Sequence, residues 1–199
     1  MKSSIKKSTF KAIYRILDRV SPIDGDCGLL CGAACCTCEE EPSDASHSGQ
    51  SDENADFSMG IYLLPGEEKM FSGNEDWLQW GSIRAEEYEF PQSWHGRVYF
   101  LRCLSAPFCE RSARPLQCRF FPLAPHIDED GALYMIYHSG ELPYKCPLIE
   151  KNMPLNEDFI KASYTVWTHL IRDPLILDLV EMDSAERTEK DEPVLVLYP

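Results

Sequence analysis

Nine cysteines are distributed in three groups along this 199-residue chain. The densest is "CGLLCGAACCTC", which carries Cys27, Cys31, Cys35, Cys36 and Cys38; Cys103, Cys109 and Cys118 follow, and Cys146 stands alone. A thiolate is a soft donor suited to zinc or to an iron–sulfur centre, and four of them complete a tetrahedral site. The spacings Cys27-x₃-Cys31 and Cys31-x₃-Cys35 let one stretch of backbone supply several ligands. Gly28 and Gly32, each directly after a cysteine, suit a loop that bends so its N–H groups approach sulfur. An odd number of cysteines would leave a fully paired disulfide framework with one thiol over.

Three other uses of these thiols carry less weight. Cys31-x₃-Cys35-x₂-Cys38 has the spacing by which radical S-adenosylmethionine enzymes hold a cluster. Those enzymes place it after the first strand of a large β/α barrel, and this chain shows no such alternation. A Cys35–Cys36 disulfide would be strained, so a reduced pair with one ligating thiolate is expected. Isolated cysteines are commonly buried as small apolar side chains, but five so close together argue against that reading here.

The flanking residues of the second group narrow the chemistry. Arg114-Pro115 precedes Cys118, Arg119 follows it directly, and Phe120-Phe121-Pro122-Leu123 comes next; downstream, Cys146-Pro147 closes the series. Together with Cys27, Cys31 and Cys35-Cys36, these blocks resemble the YkgJ-type cysteine-cluster family, described as zinc- or iron-chelating proteins. "LLPGEE" (Leu63–Glu68) is similar to a segment of the family's longer members. The first block is wider here than the family's usual Cys-x₂-Cys-Gly-x-Cys-Cys, which leaves open whether Cys35 or Cys36 ligates. Cys38 has no counterpart and is the expected spare thiol.

The resemblance implies a zinc or iron–sulfur site that joins Cys118 and Cys146 to two or more of Cys27, Cys31, Cys35 and Cys36. Cys103 and Cys109 would complete a second site or replace one of these ligands. Arg114 and Arg119 are expected beside the thiolates, donating to sulfur or holding an anionic substrate or cofactor; Phe120, Phe121 and Leu123 would wall the site from water. His126 is the nearest histidine that would serve as a fourth ligand. A flagellin lysine N-methylase group shares a similar arginine-proline…cysteine-arginine…Phe-Pro signature, so the alternatives are a cluster-dependent modifying enzyme and a structural zinc scaffold for a protein partner. No glycine-rich nucleotide loop, Gly-x-Ser-x-Gly or His-Glu-x-x-His motif supports another chemistry.

The elements that must position these residues are short. Phe10, Ile13, Tyr14, Leu17 and Val20 fall on one stripe of a helix, with Lys6, Lys7, Lys11, Arg15 and Arg19 over the remaining surface. A docked first helix is favoured over one lying on a membrane, because the stripe is narrow. Ser21-Pro22 and Asp24-Gly25 end it and lead into the cysteines. Ile61 to Leu64 suit a short strand, and Glu67-Glu68 the first turn of a helix. "WLQWGSIRAEEYEF" and "GRVYFLRC" read as a hairpin-like pair, and "ALYMIYH" as a strand after a turn at Asp128–Gly131. Asn156 opens a helix with Phe159, Ala162, Val166, Leu170 and Ile171 on one face, and Pro174 starts another. The expected fold is one α+β domain over residues 1–199, with helices at both ends, a short antiparallel β part between them, and loops organised around the cysteines.

Charge bounds the partners. The net charge of −14 is concentrated in two segments: residues 39–57 hold −7 and residues 181–192 hold −4, which leaves −3 for the rest. The first reads as a disordered acidic excursion, and residues 184–199 as a loosely held tail. No basic surface is left for a phosphate backbone, so nucleic-acid binding is not expected. No window approaches the ~18 apolar residues of a membrane span. Arg15, Asp18 and Arg19 interrupt any signal-peptide h-region, so the expected location is the cytoplasm, where cysteines serve metals more often than disulfides.

Overall fold

A computed structural model describes residues 1–37, 60–105, 108 and 111–199. Cys38, Cys109 and the expected acidic excursion at 39–57 lie outside the described residues. The chain forms an α+β domain, helical at both ends with short antiparallel sheets between.

Helix α1 spans Lys7–Leu17 and buries Phe10, Ile13, Tyr14 and Leu17, the stripe read from the sequence. That face enters the main core rather than lying on a membrane. Each such side chain contributes roughly 1.5–3 kcal/mol on leaving water. Strands β1 (Ile61–Tyr62), β2 (Leu78–Arg84) and β3 (Arg97–Cys103) form one antiparallel sheet in the order β1-β3-β2. The β2–β3 pairing is the expected hairpin-like pair, with Trp80 opposite Leu101.

After a short helix α3 (Leu116–Phe120) come β4 (Leu123–Ile127) and β5 (Leu133–Tyr137), paired antiparallel across the Asp128–Gly131 turn. Strand β4 is not among the strands read from the sequence; Pro125 lies within it and Pro122 directly before it, and proline disfavours a strand. It is tolerated because β4 is at the sheet's edge, in the order β4-β5-β6, where a missing N–H costs no ladder bond. Helix α5 (Glu157–Leu170) packs on this sheet, and α6 (Pro174–Glu189) lies against β4. Arg187 of α6 donates to the Pro125 carbonyl at 3.2 Å.

The carboxyl-terminal segment is better held than expected. Helix α6 runs on through Glu189, and β6 (Val196–Tyr198) pairs with β5 as the sheet's third strand. Asp173, buried at the start of α6, caps Leu175 N–H at 3.0 Å and accepts from both Ser3 and Ser4. That one carboxylate ties the first residues of the chain to its last helix.

Candidate functional site

The cysteine run is shaped by its own local contacts. Ser21 donates to the Ile23 carbonyl at 2.6 Å, and Asn156 donates through its backbone to Pro22 and through its side chain to Ser21 and Asp24. Asn156 thus anchors this loop to α5, while making no side-chain cap on the helix it precedes. Asp26 accepts from Gly28 N–H at 2.9 Å and opens a 3-10 turn over Cys27–Leu30. Gly32 and Ala33 then both take left-handed conformations, at φ of 64° and 59°, and Ala33 N–H bonds back to the Gly28 carbonyl. A side chain at Gly28 would meet Asp26 Oδ1 at 3.1 Å and Ala33 Cβ at 3.3 Å, which explains glycine there. The reversal leads into α2 (Ala34–Thr37), which carries Cys35 and Cys36.

Cys146 approaches from the other end of the chain. It precedes α4 (Pro147–Glu150), whose first position is proline, and is 8% exposed. Cys27, Cys31, Cys35 and Cys146 all line one cavity of about 20 Å³, with Phe121 and Tyr144 among its walls. Those two rings stand edge to face at 6.0 Å. Phe121 therefore walls the cysteines as expected, whereas Phe120 and Leu123 belong to the main core, Phe120 against Trp167.

The donor set is chemically apt for a thiophilic ion, and the volume matches one water-sized body rather than a large group. The four cysteines share the cavity's lining without forming a closed ligand set. Among the described residues, no three His, Cys, Asp or Glu side chains converge closely enough to hold a metal ion. None of the seven described cysteines is in a disulfide.

Cys35 and Cys36 differ in their settings. Their sulfurs are 3.9 Å apart. The hydrogen bond with Cys36 raises the Cys35 thiol, and burial and the neighbouring thiols Cys27 and Cys31 push it the same way. Cys36 is pulled down to about 6, first by that bond and then, against burial, by the Arg114 guanidinium. Cys35 lines the cavity; Cys36, bonded to Cys35 and within the field of Arg114, is not part of that lining.

In the block around Cys118, Arg119 is engaged by the protein itself. Arg119, 2% exposed, donates to the Arg114 carbonyl at 2.6 Å, to the Ser112 carbonyl at 2.5 Å and to Asp18 Oδ1 at 2.5 Å. Its guanidinium also reaches the Tyr14 carbonyl and lies over the Tyr14 ring, 4.2 Å from the centroid. These protein acceptors occupy the charge that was expected to serve sulfur or a substrate. The Tyr14 hydroxyl in turn donates to Glu67 at 2.6 Å, and Glu67 also accepts from Leu116 N–H and Leu64 N–H. Burial pushes the Glu67 pKa up, and these three donors pull it back. Cys118 sits on α3 close enough to Tyr14 to raise that phenol's pKa slightly, behind the larger effects of burial and Glu67. It is not among the residues lining the cysteine cavity.

The remaining expected residues are dispersed. Cys103 ends β3, with its sulfur 3.9 Å from the Ser105 hydroxyl. His126 is buried in β4, its pKa lowered by burial and by Arg187, and it too lies outside the cavity lining. Sequence reasoning missed the network of Glu67, Tyr14, Asp18 and Arg119. Its one available signal was Glu67 within "LLPGEE", an acidic residue following an apolar run. No family model, no curated protein and no solved structure matches this chain.

Proposed function

We propose that this chain is a thiolate metal-binding protein of the cysteine-cluster type, with Cys27, Cys31, Cys35 and Cys146 holding the metal. The observation that carries this reading is that sequence-distant cysteines, three from the first segment and one from residue 146, line a single cavity. Its volume of about 20 Å³ favours one tetrahedral ion, zinc or iron, over a cubane cluster. Cys36 and Cys118 are left out of the proposed set because neither lines that cavity. Binding would draw the 3-10 turn and the loop before α4 together, since no three ligand-type side chains converge beforehand among the described residues. A reducing compartment such as the cytoplasm would keep these thiols available. No helix of the described residues is long and apolar enough to cross a membrane.

The test is metal analysis and a visible spectrum of protein purified without oxygen. One equivalent of zinc with a colourless solution, or of iron with a coloured one, is the expected result. Protein without stoichiometric zinc or iron would sink the reading.

A further inference from the structure

Each of the two sheets has two edges, and three of those four edges are blunted. Strand β1 is two residues long, β4 carries Pro125, and β6 is three residues long beside a register shift at Met135/Ile136. Strand β2 has none of these devices. It runs for seven residues without proline, pairs with β3 in unbroken register, and holds one charged residue, Arg84 at its end. The Trp77 carbonyl accepts from Leu104 N–H at 2.8 Å, and Ala85 N–H donates to the Gly96 carbonyl at 2.7 Å. Odd-numbered positions therefore face β3, and Trp80 and Ser82 turn their N–H and C=O groups outward. Among the described residues none of these four groups has a partner.

The same edge carries an undersized core. Leu63, Leu78 and Leu101 form a second buried cluster of only three residues, covered by the half-buried Phe71, Trp77, Trp80 and Tyr99. We propose that β2 pairs antiparallel with β2 of a second copy of this chain, joining two three-stranded sheets into one of six strands. A two-fold axis at Trp80 sets Trp80 opposite Trp80, Ser82 opposite Leu78, and Arg84 opposite Asp76 of the other copy. By symmetry this answers the strand's one cation with an exposed acid twice, and it lays the two small clusters side by side on one face. Moving the axis to Gly81 or Ser82 sets Arg84 opposite Leu78 or Trp80 instead. Within its own chain Arg84 has only Glu86, 3.6 Å away with both side chains exposed, which holds it loosely. The interface contains none of the proposed metal ligands, so the two readings fail separately.

Sedimentation equilibrium of the full chain, kept reduced and run over a range of concentrations, tests this together with residue-by-residue amide exchange. A monomer–dimer equilibrium is expected, with exchange at Trp80 and Ser82 slowing as the dimer forms. Ser82→Pro removes an outward N–H that nothing described in the monomer uses, and should leave a folded monomer at every concentration. Arg84→Glu and Asp76→Arg should each weaken the dimer about tenfold by setting like charges opposite, and the double variant should restore it. A wild-type chain that stays monomeric would overturn the proposal. So would a dimer in which Trp80 and Ser82 exchange as fast as in the monomer, or a double variant that associates no better than the single ones.

Discussion

Around Arg119, two backbone carbonyls, the Tyr14 ring and the partly exposed Asp18 carboxylate surround the buried guanidinium, and Glu67 satisfies three donors beyond Tyr14. Around Cys27, Cys31 and Cys35 the backbone turns through two left-handed residues, the cysteines are half-buried, and all three line one small cavity with Cys146. The first region spends its polar groups on the protein itself. The second leaves soft donors aimed at a shared space. A buried polar group survives only when its partners answer it, so Arg119 and Glu67 fix α1, α3 and the turn after β1. Thiols tolerate a partly exposed setting at little cost, and what they gain in function comes from what they bind.

The largest effect is expected at Arg119. Arg119→Met should cost about 2–4 kcal/mol in urea unfolding, because two carbonyls lose their buried donor and the partly exposed Asp18 carboxylate its partner. A loss under 1 kcal/mol would mean the network is ornamental. Cys146→Ser should leave metal-free stability nearly unchanged. It should weaken metal binding by more than the ~10–100-fold that loss of a ligand's outer hydrogen-bond partner costs, read by competition with a chelator.

Asp183 sharpens the contrast from the side of the core. Burial raises its pKa from 3.8 to about 6, opposed only in part by Arg187. The stability tied to its protonated form is fully present below pH 3.8 and is lost as pH rises through about 6. Asp183→Asn should therefore match wild type at low pH and exceed it by about 1–2 kcal/mol at pH 8. Equal stability at both pH values would contradict the assigned burial penalty. The smallest effects should come from Cys36→Ser and Cys118→Ser, each lowering metal affinity by less than about tenfold. A larger loss at Cys118 would restore the ligand set that its spacing implies.

Much of the scaffold was legible because it is written in local periodicity. The stripe of Phe10, Ile13, Tyr14 and Leu17, the pairing of residues 78–84 with 97–103, and the helices after Asn156 and Asp173 all follow from short-range pattern. Strand β4 is hidden from short-range pattern because Pro125 within it is acceptable only at a sheet edge, a property of the whole sheet. For the site, the cysteine clustering and the bends at Gly28 and Gly32 could be read directly. The destination of Arg119 could not, since its partner Asp18 is 101 residues away and offers no spacing signal. The division between Cys35 and Cys36 depends likewise on where Cys146 and Arg114 arrive in space.

The central claim is that four thiolates from two distant segments hold one ion. X-ray absorption at the metal edge of anaerobically purified protein reads this directly. The expected shell is four sulfur neighbours, at about 2.3 Å if the ion is zinc. A shell dominated by nitrogen or oxygen, or one that keeps all its sulfur in Cys146→Ser protein, would contradict it.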